Sequence, residues 1–146
     1  MNLREQVKEF HEAFGVEGDR LYPGEQTKEI RALRAALIAE EFFELLLALG
    51  IFVSPSAIEH IRASIEHPIG ETDLPALADA MADLDYVVEG TRLAFGIDGR
   101  PIAWEVHRAN MAKIGGPRRE DGKILKPEGW EPPDIVGRLK DQGWKP

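Results

Sequence analysis

Several features are missing from this sequence of 146 residues, and each absence excludes a class of protein. There is no cysteine, so the chain has no disulfide and no thiolate zinc site, and a metal would need oxygen or imidazole ligands. No apolar run reaches the ~20 residues that a membrane-spanning helix requires. The segment MNLREQVKEF lacks the basic-then-apolar layout of a secretion signal. We therefore expect a cytoplasmic protein with no membrane partner.

Positive charge is also scarce. Lysine and arginine together number 18, against 26 aspartates and glutamates, so the formal net charge is −8. Binding to a nucleic-acid backbone needs a basic footprint, so we expect no nucleic-acid partner. A phosphorylated ligand would instead be bound through metal ions and a few local basic groups. A content of 43% hydrophobic and 30% charged residues is typical of a globular protein, and the length fits one domain, residues 1–146.

Strand-like alternation, repeats and low-complexity tracts are absent, whereas apolar residues recur at helical spacing. Gly15 and Gly96 are predicted to end helices, and Ser54 and Asp73 to cap them. We predict an all-α bundle of four or five helices with an irregular C-terminal loop segment. Its helices run from Leu3 to Phe14, from about Thr27 to Leu49, onward from Ser54, from Asp73 to Phe95, and from Pro101 to Lys113, with a short terminal helix from about Pro133.

Three carboxylates interrupt the apolar helical stretch AEEFFELLLALG, residues 39–50. Glu40 and Glu44 are four residues apart and Glu41 and Glu44 three apart, so all three lie within about one turn. We expect them to continue the inward apolar stripe of the helix. Charged side chains are rarely buried without a partner, so this placement predicts a bound cation. The alternative is that these glutamates are solvated surface residues.

A second acidic pair occurs in ADAMADLDY, where Asp79 and Asp83 share a helix face. Two such helices opposite each other would form an acidic pocket. Magnesium or manganese would neutralise it, because these hard cations prefer carboxylate oxygen. Magnesium also takes substrate phosphates as ligands, which indicates a polyphosphate substrate. A neighbouring carboxylate could then orient or deprotonate an attacking water.

Basic and amide side chains cluster in a third region. In HRANMAK, residues 107–113, Asn110 and Lys113 lie one turn apart and could reach a phosphate and a sugar or base edge. The alternative is that Lys113 only complements the helix C-terminus. The following loop, GGPRREDGKILKPEGW, forms either a local basic patch or an ordinary solvated loop. Its basic residues are Arg118, Arg119, Lys123 and Lys126.

Taken together, LIAEEFFELLLAL, ADAMADLDYVVEGTRLAFGID and EVHRANMAKIGG with DGKILKPEGWEPPDI resemble the all-α nucleoside triphosphate pyrophosphohydrolases. That superfamily includes MazG, dimeric dUTPases and phosphoribosyl-ATP pyrophosphohydrolase. The resemblance covers about residues 30–136 and is nearest to small MazG-like proteins of bacteria and phages, including the Deinococcus dUTP-hydrolysing type. It implies a magnesium- or manganese-dependent enzyme that cleaves a nucleotide between its α and β phosphates, releasing a monophosphate and pyrophosphate.

The resemblance also implies roles for the acidic residues. The family's EExxE motif falls on Glu40, Glu41 and Glu44, which makes Glu41 and Glu44 metal ligands. Glu40 is then the catalytic residue that positions or activates water.

The second metal helix matches less completely. Asp83 matches the aspartate of the family's ExxD motif, but its glutamate position is occupied by Ala80. Some phage-type relatives show a DALGD-like pattern whose first aspartate falls on Asp79. We therefore expect Asp79 and Asp83 as metal ligands, and the number of metal ions stays open.

Substrate contacts follow from the same resemblance. Asn110 and Lys113 match the nucleotide- and phosphate-contacting pair of an HRxNMxK segment, and Tyr86 matches a DxxY-like position. Glu89 replaces the tyrosine of many relatives, so base preference does not transfer. The expected substrate is a nucleoside or deoxynucleoside triphosphate, with dUTP, dGTP and GTP foremost, in control of the nucleotide pool. Phosphoribosyl-ATP is the alternative substrate, and a non-catalytic helical metal-binding regulatory protein is the alternative of another class.

Relatives form dimers or tetramers, often completing each site with a neighbouring subunit, so the resemblance also implies a homodimer or homotetramer. Apolar residues of the acidic helix are the candidate interface, with ordinary core packing as the competing account. These residues are Phe42, Phe43, Leu46 and Leu47.

Overall fold

The computed structural model describes the whole chain, residues 1–146, and contains six α-helices and no strand. The all-α prediction is confirmed, although the short terminal helix brings the number to six instead of four or five. None of the helices combines the length and apolar character that crossing a membrane requires. In chain order the helices are α1 (Leu3–Phe14), α2 (Lys28–Ala48), α3 (Pro55–Glu66), α4 (Leu74–Phe95), α5 (Gly99–Met111) and α6 (Ile135–Asp141).

Local capping explains most helix ends. The Asn2 side chain accepts a hydrogen bond from the Glu5 amide while the Glu5 carboxylate accepts one from the Asn2 amide, which starts α1. Thr27 and Ser54 cap α2 and α3 in the usual way. Helix α5 begins two residues before the predicted Pro101, because the Asp98 side chain accepts from the Arg100 amide at 3.0 Å.

Residues Met1–Asp19 and Pro75–Pro146 form one compact unit. Helix α5 is its centre, with α1 and α6 packed against it. The buried apolar side chains are Phe14, Ala109 and Ile124, which come from α1, α5 and the C-terminal segment. His107 on α5 and Glu9 on α1 lie 2.9 Å apart, from Nε2 to Oε2, and tie the two helices together.

The C-terminal segment between α5 and α6 belongs to this unit and is held by specific contacts. An isolated antiparallel bridge joins Arg118 to Ile124. The Arg118 guanidinium donates to the Phe14 carbonyl at the end of α1. The Trp130 indole N–H donates to the Ala109 carbonyl at 2.7 Å. The irregular segment is therefore ordered by its contacts with α1 and α5.

Residues Arg20–Leu74 form the second compact unit, in which α2 packs on α3. The Glu25 carboxylate accepts hydrogen bonds from the Thr72 amide and hydroxyl, both at 2.7 Å, and Arg31 donates to the Gly70 carbonyl at 2.9 Å. These bonds connect the two ends of the unit. No residue of α2 is buried. The prediction of one domain over residues 1–146 stays a prediction.

Candidate active site

The acidic motif lies in the middle of α2, where helical geometry places its three carboxylates within about one turn. Glu40 is half-buried, whereas Glu41 and Glu44 are exposed. The expectation that all three continue an inward stripe is wrong for Glu41 and Glu44. The physical reason is that the neighbouring apolar residues are themselves uncovered, since Phe42 is 49% and Leu45 40% exposed.

Asp79 and Asp83 lie one turn apart on α4, and both are exposed. The predicted substrate contact Tyr86 follows on the same helix and is 82% exposed. Large apolar side chains of α4 are uncovered as well. These are Leu77, Met81, Leu84 and Val87.

The four predicted metal ligands have the donor chemistry that magnesium requires. Glu41, Glu44, Asp79 and Asp83 accept no hydrogen bond and form no ion pair in the structure, which leaves their oxygens available to a cation. Glu41 and Glu44 belong to the second unit and Asp79 and Asp83 to the first. The structure contains no group of three or more such side chains close enough to hold a metal ion. The metal site therefore stays a prediction.

Three other carboxylates of the chain, in contrast, are engaged by hydrogen-bond donors within the chain. The pKa of Glu25 is lowered to about 2, first by the hydrogen bonds from Thr72. Hydrogen bonds from Arg108 lower the pKa of Glu105, and those from Arg119 lower the pKa of Asp121. Each of these groups already has a donor that stabilises its charged form.

The predicted amide and lysine pair at the end of α5 is brought together. Lys113 Nζ donates to Asn110 Oδ1 at 2.8 Å, and the same ammonium lies 5.8 Å from the centre of the Trp130 ring. Trp130 is fixed in turn by its hydrogen bond to Ala109, which is only 1% exposed. One turn of helix thus presents a cation and an amide that are already oriented.

The predicted basic patch is less uniform. Arg118 is occupied by the Phe14 carbonyl, and Arg119 pairs with Asp121 at 2.9 and 2.5 Å. Lys126 Nζ lies 4.7 Å from the centre of the Trp130 ring, and the Lys123 amide donates to Asp121 Oδ1. Arg118 and Arg119 therefore shape the loop, while a phosphate-binding role for all four residues stays a prediction.

Gln6, a residue of α1 that is only 2% exposed, is a candidate functional residue that the sequence motifs do not include. It lines a cavity of about 330 Å³ between α1 and α5, together with Phe10, Val106 and Asn110. A signal was available. Gln6 stands three residues after Leu3 and four before Phe10, inside the apolar stripe of α1, as Glu40 stands inside that of α2.

The all-α fold of this chain has a counterpart among solved structures. It is similar in structure to the crystal structure of a "putative NTP pyrophosphohydrolase" from Exiguobacterium sp. 255-15, with a TM-score of 0.67 and 26% sequence identity. The match covers 97% of this chain and 98% of the other. No curated protein sequence matches this chain.

The phosphoribosyl-ATP pyrophosphohydrolase family model matches residues 7–110, and the chain belongs to this family. Fold and family thus define a pyrophosphohydrolase. The matched range includes the acidic residues of α2 and α4 and ends on Asn110, before Lys113 and the basic loop.

Proposed function

We propose that this protein is a magnesium-dependent hydrolase of nucleoside or deoxynucleoside triphosphates. Water attacks the substrate, the bond between the α and β phosphates breaks, and a nucleoside monophosphate and pyrophosphate are released. The observation that carries the proposal is the Asn110 and Lys113 pair, because an ammonium ion held 2.8 Å from an amide oxygen suits a phosphate next to a sugar. Such an activity would control the nucleotide pool, with dUTP, dGTP and GTP as the first substrates to test.

Glu41, Glu44, Asp79 and Asp83 would hold the magnesium or manganese ions. A bound divalent ion supplies charge neutralisation to the phosphates and to the developing charge of the transition state. The chain's own contribution is a set of four carboxylates without competing partners, so no internal ion pair needs to break when a cation binds.

Glu40 is proposed as the residue that orients and deprotonates the attacking water. Its half-burial distinguishes it from the exposed Glu41 and Glu44. A carboxylate within one turn of the proposed metal ligands can orient a water molecule and accept its proton. Lys113 would neutralise charge on the phosphates, and Asn110 would position the adjoining sugar.

Phosphoribosyl-ATP is the second candidate substrate, and the family match over residues 7–110 favours it. Its hydrolysis is the same chemical step, so the acidic residues would have the same roles. The two candidate substrates differ only in the part of the nucleotide other than the phosphates, which the site must accommodate.

A turnover panel tests both candidates. The purified protein is incubated with magnesium and each of the common NTPs, dNTPs and phosphoribosyl-ATP, and the monophosphate and pyrophosphate are quantified. Release of both products from a triphosphate is expected. Absence of turnover with the whole panel would refute the proposal. Glu40→Ala should abolish activity with fold retained, whereas a non-catalytic metal-binding protein would show changed folding or metal affinity.

We also propose that the protein is a homodimer or homotetramer. Phe42 is 49% and Leu47 71% exposed, and α4 leaves a further row of apolar side chains uncovered. Exposed apolar surface of this extent is typical of an interaction site. Replacement of Phe42 and Leu47 by glutamate should reduce the molar mass measured by light scattering. A monomeric wild-type protein would refute this assignment.

A further inference from the structure

We infer that the cavity between α1 and α5 binds the heterocyclic base of the nucleotide, and that Gln6 determines which base is preferred. The inference rests on the proposed function, since it concerns the same nucleotide. It assigns a role to a residue on the first helix, far in sequence from the acidic motifs.

The first argument is the state of Gln6 itself. Its side chain is 98% removed from solvent, since the residue is 2% exposed, yet its amide makes no hydrogen bond in the structure. The enclosed side-chain nitrogens and oxygens without a hydrogen-bond partner are Arg31 Nε and Arg138 Nε, so the Gln6 amide is not sealed off and can still be reached through the cavity that it lines. Gln6 also does not hold α1 to α5, because His107 and Glu9 already do so. An unpaired amide that lines a cavity is explained by a ligand that completes its hydrogen bonds.

The second argument is the chemistry of the cavity. Its volume is about 330 Å³, and its walls include Phe10, Ile102 and Val106. Apolar walls with a few polar groups are the usual lining of a small-molecule site. An amide presents a donor and an acceptor side by side, and the edge of a nucleobase carries donors and acceptors in the same arrangement. A flat heterocycle between these walls would satisfy both ends of the Gln6 amide.

The third argument is continuity with the phosphate-binding pair. Asn110 lines the same cavity, and its side-chain oxygen accepts from Lys113. A nucleotide with its base at Gln6 would place its sugar at Asn110 and its phosphates near Lys113. Base, sugar and phosphate recognition would then follow one another from α1 to the end of α5.

The test uses two apolar variants of similar length, Gln6→Leu and Gln6→Met, in the full chain. Three quantities are measured: kcat and KM for each NTP and dNTP, the melting temperature, and the binding of nucleosides without phosphates in EDTA, followed by NMR. Gln142→Leu is the matched control, because the Gln142 side chain is paired with the Asp98 backbone at 2.8 and 3.1 Å and does not line this cavity.

Both Gln6 variants should melt within a few degrees of the wild-type temperature, since the Gln6 amide has no hydrogen bond within the chain to lose. For the preferred base kcat/KM should fall by about tenfold to a hundredfold, and by less for the other bases, so discrimination narrows. Nucleoside binding should weaken in parallel. Gln142→Leu should instead lower the melting temperature and leave the order of base preference unchanged.

The inference is overturned if base preference is unchanged in both Gln6 variants, or if both unfold or melt as far below wild type as Gln142→Leu. Failure of the proposed function looks different. In that case the wild-type protein hydrolyses no triphosphate, while the nucleoside titration still decides about the cavity. Binding that depends on Gln6 supports a base site, and absence of binding refutes it.

Discussion

Helices α2 and α5 carry the two halves of the proposed chemistry. Their side chains differ in how far contacts within the chain orient them. At the C-terminal end of α5, Lys113 donates a hydrogen bond to Asn110, and its ammonium lies 5.8 Å from the centre of the Trp130 ring. On α2, Glu41 and Glu44 are exposed and have no partner within the chain. The residues proposed to bind phosphate are thus oriented by contacts within the chain. The carboxylates proposed as metal ligands have no intrachain contact that orients them, so in our proposal a bound cation would do so.

Side chains proposed to bind the substrate are therefore oriented in advance near the end of α5 but not on α2. A lysine fixed by an amide and an aromatic ring loses little side-chain entropy when it meets a phosphate. Holding several carboxylates close together without a cation would destabilise the fold, because their negative charges repel each other. Four variants test these differences.

The double substitution Glu41→Ala and Glu44→Ala should lower kcat/KM by roughly a thousandfold or more, because a bound metal contributes several kcal/mol to transition-state stabilisation. Folding should be nearly unaffected, since neither side chain has a partner to lose. Pyrophosphate release and magnesium titration calorimetry measure the two effects. Glu29→Ala, an exposed glutamate of the same helix, is the control and should retain activity. Full activity in the double variant would disprove the assignment.

Lys113→Ala should lower kcat/KM by about tenfold to a hundredfold, the range for losing a charge-assisted hydrogen bond to phosphate. Magnesium binding should be unchanged, which separates the contribution of α5 from that of α2. Steady-state kinetics gives the first quantity and calorimetry the second. Lys140→Ala, at an exposed lysine of α6, should have wild-type kinetics. Equal kinetics for both lysine variants would remove Lys113 from the site.

Trp130→Phe removes the indole donor from the Ala109 carbonyl and should destabilise the fold by about 1–2 kcal/mol. Urea unfolding measures the loss. KM should rise as well, because the smaller phenyl ring is no longer held by the Ala109 carbonyl and interacts less strongly with the Lys113 ammonium. Trp144→Phe is the control, since Trp144 is 46% exposed and its indole makes no hydrogen bond. A destabilisation of the same size in both variants would show that the hydrogen bond from the Trp130 indole to the Ala109 carbonyl does not stabilise the fold.

The smallest effect concerns Glu25, at the base of the second unit. Its pKa in the folded protein is about 2, below the ordinary value of 4.5, because Thr72 donates two hydrogen bonds to its carboxylate. A lowered pKa means that the stabilisation is complete above about pH 4.5 and is lost as the pH falls from there towards 2. Unfolding free energies between these pH values should therefore decline less steeply in Glu25→Gln than in wild type. Parallel pH profiles would contradict this linkage.

Local features of the fold were predictable from the sequence. Helix α1 ends at Phe14 because Gly15 adopts a left-handed φ of 60°, and α3 begins at Pro55 because Ser54 caps it. Helix α5 begins two residues before the predicted Pro101. Proline is a common first-turn residue, but Asp98, an equally common N-cap residue, sets the start of this helix.

Features that depend on tertiary contacts were less predictable. Apolar composition alone predicted that the acidic stripe of α2 faces inward, but exposure depends on what covers the helix. Gln6 was overlooked although it interrupts an apolar stripe, because only the cavity between α1 and α5 shows that its amide has no partner. The pairing of Lys113 with Asn110 followed directly from their one-turn spacing.

Trp130 also gives this protein a built-in optical reporter. Two ammonium groups, those of Lys113 and Lys126, lie 5.8 and 4.7 Å from the centre of its indole ring. A phosphate that draws either ammonium away changes the electric field on the ring, and tryptophan emission is sensitive to that field. Substrate arrival at α5 could therefore be followed by fluorescence in the unlabelled enzyme, with Trp104 and Trp144 replaced to remove the background.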